Sequence, residues 1–336
     1  MPEPIRTRVD FIDKLLGGQL AQGVHGLLGP IGSGKTTLAI QIAVEGARIQ
    51  QEKAWLKETA GSWVFVSCDD AGRHIVRRAF SHAAKVDREA IGQGRPSDVR
   101  LANKYERSRS KELAMPDGVV PSELERCTTA SELLGNHFHL VDFSSGSPVN
   151  KSFSPMTFVS QELQRLAQVG PISGVVVDYI GALARRHMNL DGSSRANQSQ
   201  VIQQMLAEAK TCIANRFDCP VWLVHQLNRA ANRRSALQPQ HHRDAAECKH
   251  FDEFLDACLC FGCQDAETRC MLMHRSKSPF TEPGDPQCLT FDANFASLVA
   301  TPDYRRSHTV SKIIRDNSTL VKCDELAIER LRALRK

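Results

Sequence analysis

The chain reads Gly29-Pro30-Ile31-Gly32-Ser33-Gly34-Lys35-Thr36-Thr37 near its N-terminus, and this stretch fits the pattern G-x-x-x-x-G-K-[ST] at every fixed position. An apolar run at residues 24–28 leads into it and is typical of a buried strand. Residues 38–43 lead out of it with the character of a helix. This is the strand, loop and helix context of a phosphate-binding loop. The sequence therefore predicts that these nine residues bind a nucleoside triphosphate.

The chemistry of phosphate explains these residue types. Glycines let backbone N–H groups curl around phosphate oxygens without a Cβ in the way, and a helix N-terminus adds partial positive charge. We expect Lys35 to reach the β- and γ-phosphates and the Thr36 hydroxyl to ligate Mg²⁺. The predicted cofactors are therefore ATP and Mg²⁺.

Composition limits the class of protein. Of 336 residues, 41% are hydrophobic and 24% are charged, which is ordinary for a globular chain. The formal net charge of +5 allows a nucleic-acid partner but does not argue for one. No run approaches the ~18 apolar residues of a membrane span, and the first residues lack the regions of a signal peptide. We expect a cytoplasmic protein with no membrane partner.

Apolar runs alternate with helical patterns along the chain. Predicted strands cover residues 24–28, 63–67, 138–142, 174–179, 220–226, 257–261, 270–274 and 287–291. Predicted helices include residues 10–18, 73–85, 157–168 and 198–217. Strands that are apolar on both faces and alternate with helices indicate an α/β fold with a parallel sheet covered on both sides.

Three parts are expected along the chain. Residues 1–23 form a lead-in segment, residues 24–300 form the nucleotide-binding domain, and residues 301–336 form a basic helical tail. Within the domain, residues 91–135 mix charges of both signs with scattered Gly and Pro. We expect this stretch to be an inserted loop with short helices or a mobile region.

Carboxylates follow two of the predicted strands. Asp178 ends the most apolar strand, in the position of a Walker B acid, and is expected to hold the Mg²⁺ shell. Asp69 and Asp70 follow the second strand, where a carboxylate can orient the attacking water. Either acid is a candidate, and Asp69 is favoured because the residue closer to the strand is held more rigidly; the alternative is a solvated turn. Gln226 ends the next strand and is expected to sense the γ-phosphate.

The order of these motifs resembles that of the RecA-type P-loop ATPases, and most of all the C-terminal motor domain of the DnaB-type replicative helicases. The residues that carry the resemblance are Val177-Asp178-Tyr179 for the Walker B strand, Gln226-Leu227-Asn228-Arg229 for the sensor motif, and His274-Arg275-Ser276-Lys277-Ser278-Pro279 for a basic hairpin. The N-terminal part, with its acid pair, is more similar to KaiC and the RadA-like recombinases. The resemblance implies a RecA-like fold, with a mostly parallel central sheet flanked by helices and antiparallel strands near the C-terminal edge.

The resemblance also implies a role for the basic hairpin. Arg275 and Lys277 would act as fingers on the γ-phosphate held by a neighbouring subunit. They are two residues apart on a predicted strand, so their side chains are expected on the same face. The alternative is an exposed basic edge that only discourages strand pairing.

Arginine-rich stretches follow the strands that end in Asp178 and Gln226. Flexible loops of this kind would bind the phosphates of single-stranded DNA without reading bases. The candidates are Arg195, Arg229, Arg233, Arg234 and Arg243. The alternative is a set of solvated loops with incidental charge.

Two functions are open from the sequence. The favoured one is an ATP-hydrolysing motor that acts on single-stranded DNA in replication or repair and assembles head to tail into a ring or filament. The alternative is a KaiC-like or recombinase-mediator ATPase that works as a nucleotide-gated assembly module. The sensor motif and the basic hairpin favour the motor, and the acid pair favours the module.

Overall fold

A mixed β-sheet lies at the centre of the fold. The computed structural model describes residues 6–17, 22–93, 122–144, 154–191, 198–228, 231, 240–246, 248, 251–263, 270–277 and 286–301. The strands are β1 (Gly23–Gly29), β2 (Ser62–Ser67), β3 (Phe138–Asp142), β4 (Ile172–Asp178), β5 (Pro220–Gln226), β6 (Ala257–Phe261), β7 (Cys270–Lys277), β8 (Gln287–Asp292) and β9 (Ser297–Ala300).

Helices pack against this sheet. They are α1 (Asp10–Leu16), α2 (Lys35–Trp55), α3 (Gly72–Ala84), α4 (Arg88–Gln93), α5 (Glu123–His137), α6 (Pro155–Ala167), α7 (Ile180–Asp191), α8 (Gln198–Glu208) and α9 (Asn215–Phe217). A π-helical segment, Ala209–Ala214, joins α8 to α9, and 3₁₀ turns lie at His242–Asp244 and Phe251–Phe254. Among the described helices, none is long and apolar enough to cross a membrane.

The strand order is β3-β2-β4-β5-β1-β6-β7-β8-β9. The strands from β3 to β6 pair in parallel, and β7, β8 and β9 are added antiparallel. The predicted fold class is therefore confirmed. Because the carboxyl ends of parallel strands lie at one edge of a sheet, the residues that follow β1, β2, β4 and β5 are brought together.

Burial explains the parallel part of the sheet. Every residue of β1 is buried, and Val175, Val176 and Val177 of β4 have no exposed surface. The helices α2, α3 and α5 contact one another, and α6 and α7 form a second group with α8. A strand covered in this way needs apolar residues at successive positions, which is the pattern that the sequence shows.

One helix lies within the stretch that was predicted to be an insertion or a mobile region. Residues 94–121 are outside the described part, but Glu123–His137 form α5. Ser122 caps this helix: its hydroxyl accepts from the N–H of Glu125, and the Glu125 side chain accepts from the N–H of Ser122. Buried Ala130 and Leu133 anchor α5, which contacts α2 and α3. This part of the stretch is thus a packed helix of the domain.

The β8–β9 hairpin is fastened to the helix that follows the phosphate loop. The Gln41 amide of α2 both donates to the carbonyl of Leu298 (3.3 Å) and accepts from its N–H (3.1 Å). His82 of α3 lies 2.7 Å from the Ser297 hydroxyl through Nδ1 and 3.0 Å from Glu45 through Nε2. These contacts hold β9 against α2 and α3.

The geometry of β7 corrects one sequence prediction. Its register with β6 places Arg275 opposite Leu259 and Lys277 opposite Cys258, with a shift between these positions. Adjacent residues of β6 point to opposite faces, and paired residues share a face. Arg275 and Lys277 therefore lie on opposite faces, and the prediction of a common face was wrong. Among the described residues, β8 pairs with β7 over residues 270–273, which stops short of Arg275 and Lys277. Arg275 is buried at this end of the strand, and Lys277 is half-buried.

Candidate active site

The phosphate loop lies at the carboxyl end of β1. Gly32 and Gly34 adopt φ of 77° and 81°, where a side chain would be strained. A Cβ on Gly29 would come within 2.6 Å of the Ser33 hydroxyl and 2.8 Å of Phe261, so only glycine fits there. The 21-residue α2 begins at Lys35, so its unpaired N–H groups face the loop.

Lys35 is folded back onto the loop. Its Nζ donates to the carbonyls of Gly29 (2.9 Å) and Pro30 (2.5 Å), and its side chain is buried. Burial lowers the pKa of Lys35 to about 8, although the charge of Asp178 opposes this. The ammonium thus remains largely charged at neutral pH in a site built to receive an anion.

Asp178 and Thr36 meet at the centre of the site. Asp178 ends β4 and is buried, and burial raises the pKa of its carboxyl to about 6. A hydrogen bond with the Thr36 side chain and the charge of Lys35 oppose this rise. A hydroxyl and a carboxylate in contact are the oxygen donors that Mg²⁺ uses beside a nucleotide.

The two adjacent acids after β2 have different surroundings. Asp70 forms an ion pair with Arg78 of α3, with 2.8 Å between Oδ2 and Nη1, and its backbone carbonyl accepts from the Ser67 hydroxyl at 2.6 Å. Asp69 is exposed, and within the described part of the chain its carboxylate has no hydrogen bond or ion pair. Asp69 is therefore the acid whose carboxylate is available to a ligand.

Gln226 is linked to the phosphate loop through the backbone. It lies opposite Gly29 where β5 pairs with β1. The next residue, Leu227, donates its N–H to the carbonyl of Gly29 at 3.2 Å, and this carbonyl also accepts from Lys35. The loop and the end of β5 therefore share a hydrogen-bonded contact.

These residues surround one cavity of about 310 Å³. The predicted residues that line it are Ile31, Gly32, Gly34, Lys35, Thr36, Thr37, Asp69, Asp70, Asp178 and Gln226. Its wall is completed by Tyr179, which follows the Walker B acid, and by four residues for which the sequence predicted no role: Arg78, Arg88, Met271 and Phe291. One signal in the sequence could have indicated Arg78: it is a basic residue in a predicted helix, about two helical turns beyond the acid pair. Arg88 had no such signal.

The cavity fits a magnesium nucleotide. Ser33 carries a buried hydroxyl for which no hydrogen-bond partner is found in the described residues. The glycine cradle, the start of α2 and Lys35 suit phosphates, and the contact between Thr36 and Asp178 suits the metal ion. Pro30 and Ser33 take part in the loop without lining the cavity.

Arg275, Lys277 and Arg243 are described by the structure and do not line this cavity. Arg275 is 3% exposed in β7, and Lys277 is half-buried at the end of the strand. Arg243 is exposed in the 3₁₀ turn His242–Asp244. Arg195, Arg229, Arg233 and Arg234 lie outside the described residues.

The sequence and the fold are both similar to those of known proteins. The sequence model of the DnaB-like helicase C terminal domain matches residues 4–247. The fold is similar to that of a solved structure described as an ATPase domain, with a TM-score of 0.62 at 12% identity over 88% of this chain and 91% of that one. No curated protein matches the chain.

Two further solved structures share the fold. A DnaB-like replicative helicase, described with its interactions with primase, has a TM-score of 0.60 at 14% identity over 86% of this chain and 61% of that one. A KaiC-like protein from Pyrococcus horikoshii OT3 has a TM-score of 0.51 at 13% identity over 89% of this chain and 99% of that one.

Proposed function

The chain belongs to the DnaB-like helicase C-terminal domain family, and from this we propose that it is an ATP-hydrolysing motor that acts on single-stranded DNA. Residues 24–300 would form its ATPase domain, and the protein would work in the cytoplasm in DNA replication or repair. The observation that carries the proposal is the cavity at the carboxyl edge of the sheet, which is lined by Lys35, Thr36, Asp178 and Asp69 together.

Each side chain has a distinct task in hydrolysis. Lys35 exchanges its two loop carbonyls for the β- and γ-phosphate oxygens. Thr36 and Asp178 would hold the metal ion, and Mg²⁺ bound there would supply positive charge that offsets the charge of the phosphates. Asp69 accepts a hydrogen bond from the attacking water and orients it. Gln226 contacts the γ-phosphate from the end of β5.

DNA contacts and assembly complete the proposal. Arg195, Arg229, Arg233, Arg234 and Arg243 would contact phosphates, as in the family that the sequence resembles. Assembly into a ring or filament would allow one subunit to contribute a cation to the site of the next. Arg275 and Lys277 are the candidates. Lys277 is favoured because it is half-buried, whereas Arg275 is buried.

A second function is favoured by a specific observation. The chain carries two acids after β2, as in the KaiC-like pattern, and one of them is engaged by Arg78. In this alternative the protein hydrolyses ATP slowly, and its nucleotide state controls assembly. The difference between the two functions is whether DNA accelerates hydrolysis.

The test compares ATP hydrolysis by the wild type, Lys35→Ala and the matched control Lys53→Ala, with and without single-stranded DNA. Lys53 is exposed at the other end of the same helix. We expect DNA to stimulate the wild type and Lys53→Ala, and Lys35→Ala to be inactive. Hydrolysis at the wild-type rate by Lys35→Ala would show that the site is wrong. A wild type that DNA does not stimulate would favour the assembly module.

A further inference from the structure

A short antiparallel ladder joins the two ends of the segment that follows β5. Leu227 lies opposite Ala245 in an antiparallel bridge. On either side of it, the N–H of Asn228 donates to the carbonyl of Asp244 (2.8 Å), and the N–H of Ala246 donates to the carbonyl of Gln226 (2.9 Å). The segment 229–243, which holds four of the candidate DNA-binding arginines, therefore leaves and returns at the end of β5.

His225 adds a side-chain bond to this ladder. Its ring is buried at 1% exposure, and Nε2 lies 2.7 Å from the carbonyl oxygen of Ala246. The ring stacks on Phe251 with 4.8 Å between centroids and 12° between planes. Among the described residues, no partner is found for Nδ1. The bond to Ala246 is thus the polar contact that orients the ring.

The proton on this imidazole can be assigned. Burial lowers the pKa of His225 to about 4, so the ring is neutral at physiological pH. A carbonyl oxygen can only accept, so Nε2 must carry the proton and donate it to Ala246. Nδ1 then holds the lone pair, which suits an apolar surrounding better than a second N–H would.

Ala246 is therefore held at two points by consecutive residues of β5. Gln226 holds its N–H and His225 holds its carbonyl. Gln226 is in turn opposite Gly29, and Leu227 donates to the Gly29 carbonyl. A continuous set of hydrogen bonds thus runs from the phosphate loop through the end of β5 to the returning end of the 229–243 segment.

We propose that His225 is a positioning residue that ties the returning end of the 229–243 segment to Gln226, so that nucleotide binding is transmitted to that segment. The inference rests on the proposed function only in assigning DNA contacts to the segment. The competing explanation is a buried histidine that stabilises the fold and has no part in transmission. The two differ in what happens when the Nε2 donor is removed and the ring is kept.

The test uses His225→Phe, which keeps the stacked ring and removes the donor, and His225→Gln, whose amide can donate to Ala246. The control is His25→Phe. His25 is a buried histidine of β1, and its ring centroid lies 5.0 Å from that of Trp222. Hydrogen exchange of residues 240–248 is measured with and without a non-hydrolysable ATP analogue, together with the affinity for the analogue. No DNA is needed for this measurement.

We expect the analogue to slow exchange in the wild type, His225→Gln and His25→Phe, and to have no such effect in His225→Phe at saturating analogue. In a second measurement, the analogue should change the affinity of the wild type for single-stranded DNA by about fivefold or more, and this change should be lost in His225→Phe. The loss should occur without a matching loss of affinity for the analogue.

Three results would overturn the inference. These are a full analogue effect in His225→Phe, an equal loss in His25→Phe, or no effect of the analogue on residues 240–248 of the wild type. If His225→Phe does not fold, His225→Asn replaces it, because its shorter amide cannot reach Ala246 as that of His225→Gln does. A wild type that binds the analogue and shows the exchange effect but ignores DNA would contradict the proposed function and leave the inference standing.

Discussion

Asp69 and Asp70 are neighbours in the chain, but their carboxylates have different partners. Arg78 engages Asp70 at 2.8 Å, while Asp69 faces the cavity without an ion pair among the described residues. A carboxylate that orients water must have an oxygen available to accept from it. The surroundings of the two residues therefore assign the role to Asp69.

The first prediction at this scale concerns the two asparagine variants. Asp69→Asn should lower kcat by about 10²–10⁴ while ATP affinity is retained, because the water is no longer oriented by a charged acceptor. Asp70→Asn should have a much smaller effect, because a partly exposed ion pair contributes only about 0–1 kcal/mol. Steady-state ATP hydrolysis and nucleotide binding measure both. A normal kcat in Asp69→Asn with an inactive Asp70→Asn would reverse the assignment.

The site could be predicted from the sequence where a residue type is tied to a local motif. Lys35, Thr36 and Asp178 follow from strand ends and a loop pattern, and all three line the cavity. Arg88 and Phe291 could not be predicted, because they reach the cavity only through the packing of α4 and β8. No local spacing encodes a contact between elements that are far apart in the chain.

At the scale of elements, His82 connects three of them. It extends from α3 and contacts Glu45 of α2 and Ser297 of β9. Burial and the nearby charge of Lys85 lower the pKa of His82 to about 4, although the hydrogen bond to Glu45 opposes this. The contact between helices and hairpin is therefore built around a neutral imidazole at physiological pH.

This predicts how stability depends on pH. Between about pH 6.5 and about pH 4 the unfolded chain protonates this histidine and the folded protein does not, so the free energy of unfolding decreases as the pH falls through this window. The decrease is up to about 1.4 kcal/mol per pH unit for one such group. His82→Gln retains hydrogen-bonding atoms and does not titrate, so its stability should fall less steeply in urea unfolding across the window.

The comparison between variant and wild type isolates His82 from other groups. His225 and His274 have pKa values of about 4 for the same reason and act in the same direction. Asp178, with its pKa raised to about 6, acts in the opposite direction. These contributions are common to both proteins. Glu45 differs between them, because burial raises the pKa of its carboxyl but the hydrogen bond to His82 helps to lower it to about 2; this group titrates below about pH 4.5, so the comparison is made above that pH. Equal slopes in wild type and His82→Gln would contradict the prediction.

The elements differ in how well the sequence predicts them. Long apolar strands such as β4 and β5 were predicted because burial on both faces leaves a continuous apolar run. The position and length of α5 were not predicted, although short helices were expected in this stretch, because Ala130 and Leu133 are its only buried residues and they leave little periodicity. The four-residue β9 is too short to show alternation, and its place is set by Gln41 and His82.

At the scale of the whole molecule, β7 determines which side chain can serve a neighbour. Arg275 and Lys277 lie on opposite faces because the register with β6 shifts between them. A register shift of this kind has no sequence signal, so the prediction from spacing failed. In an assembly, the half-buried Lys277 at the end of the strand is better placed than the buried Arg275 to reach another subunit.

The prediction at this scale treats the two residues separately. Lys277→Ala should be defective in hydrolysis alone and regain activity when mixed with Lys35→Ala, because adjacent subunits can then form a complete site. A finger of this kind contributes about 10³–10⁵ in rate. Arg275→Ala should instead lower the free energy of unfolding, because it removes a buried side chain, and mixing should not rescue it.

Hydrolysis by each variant and by the mixtures is measured after co-assembly has been verified. Lys53→Ala mixed with Lys35→Ala reports the activity expected from dilution alone. Rescue of Arg275→Ala, with no rescue of Lys277→Ala, would exchange the two roles. Full activity of both variants alone would mean that neither residue serves a neighbouring site.

The hairpin of β8 and β9 also has a consequence for the time at which the protein becomes functional during its synthesis. The phosphate loop is made early, but Gln41 meets its partner Leu298 only 257 residues later, and Phe291 of the cavity wall is made just before it. Contacts between such distant positions form late and slowly. A nascent chain therefore carries its phosphate loop without a finished pocket until this hairpin has been made, and a competent nucleotide site marks a chain that has left the ribosome at least as far as this hairpin.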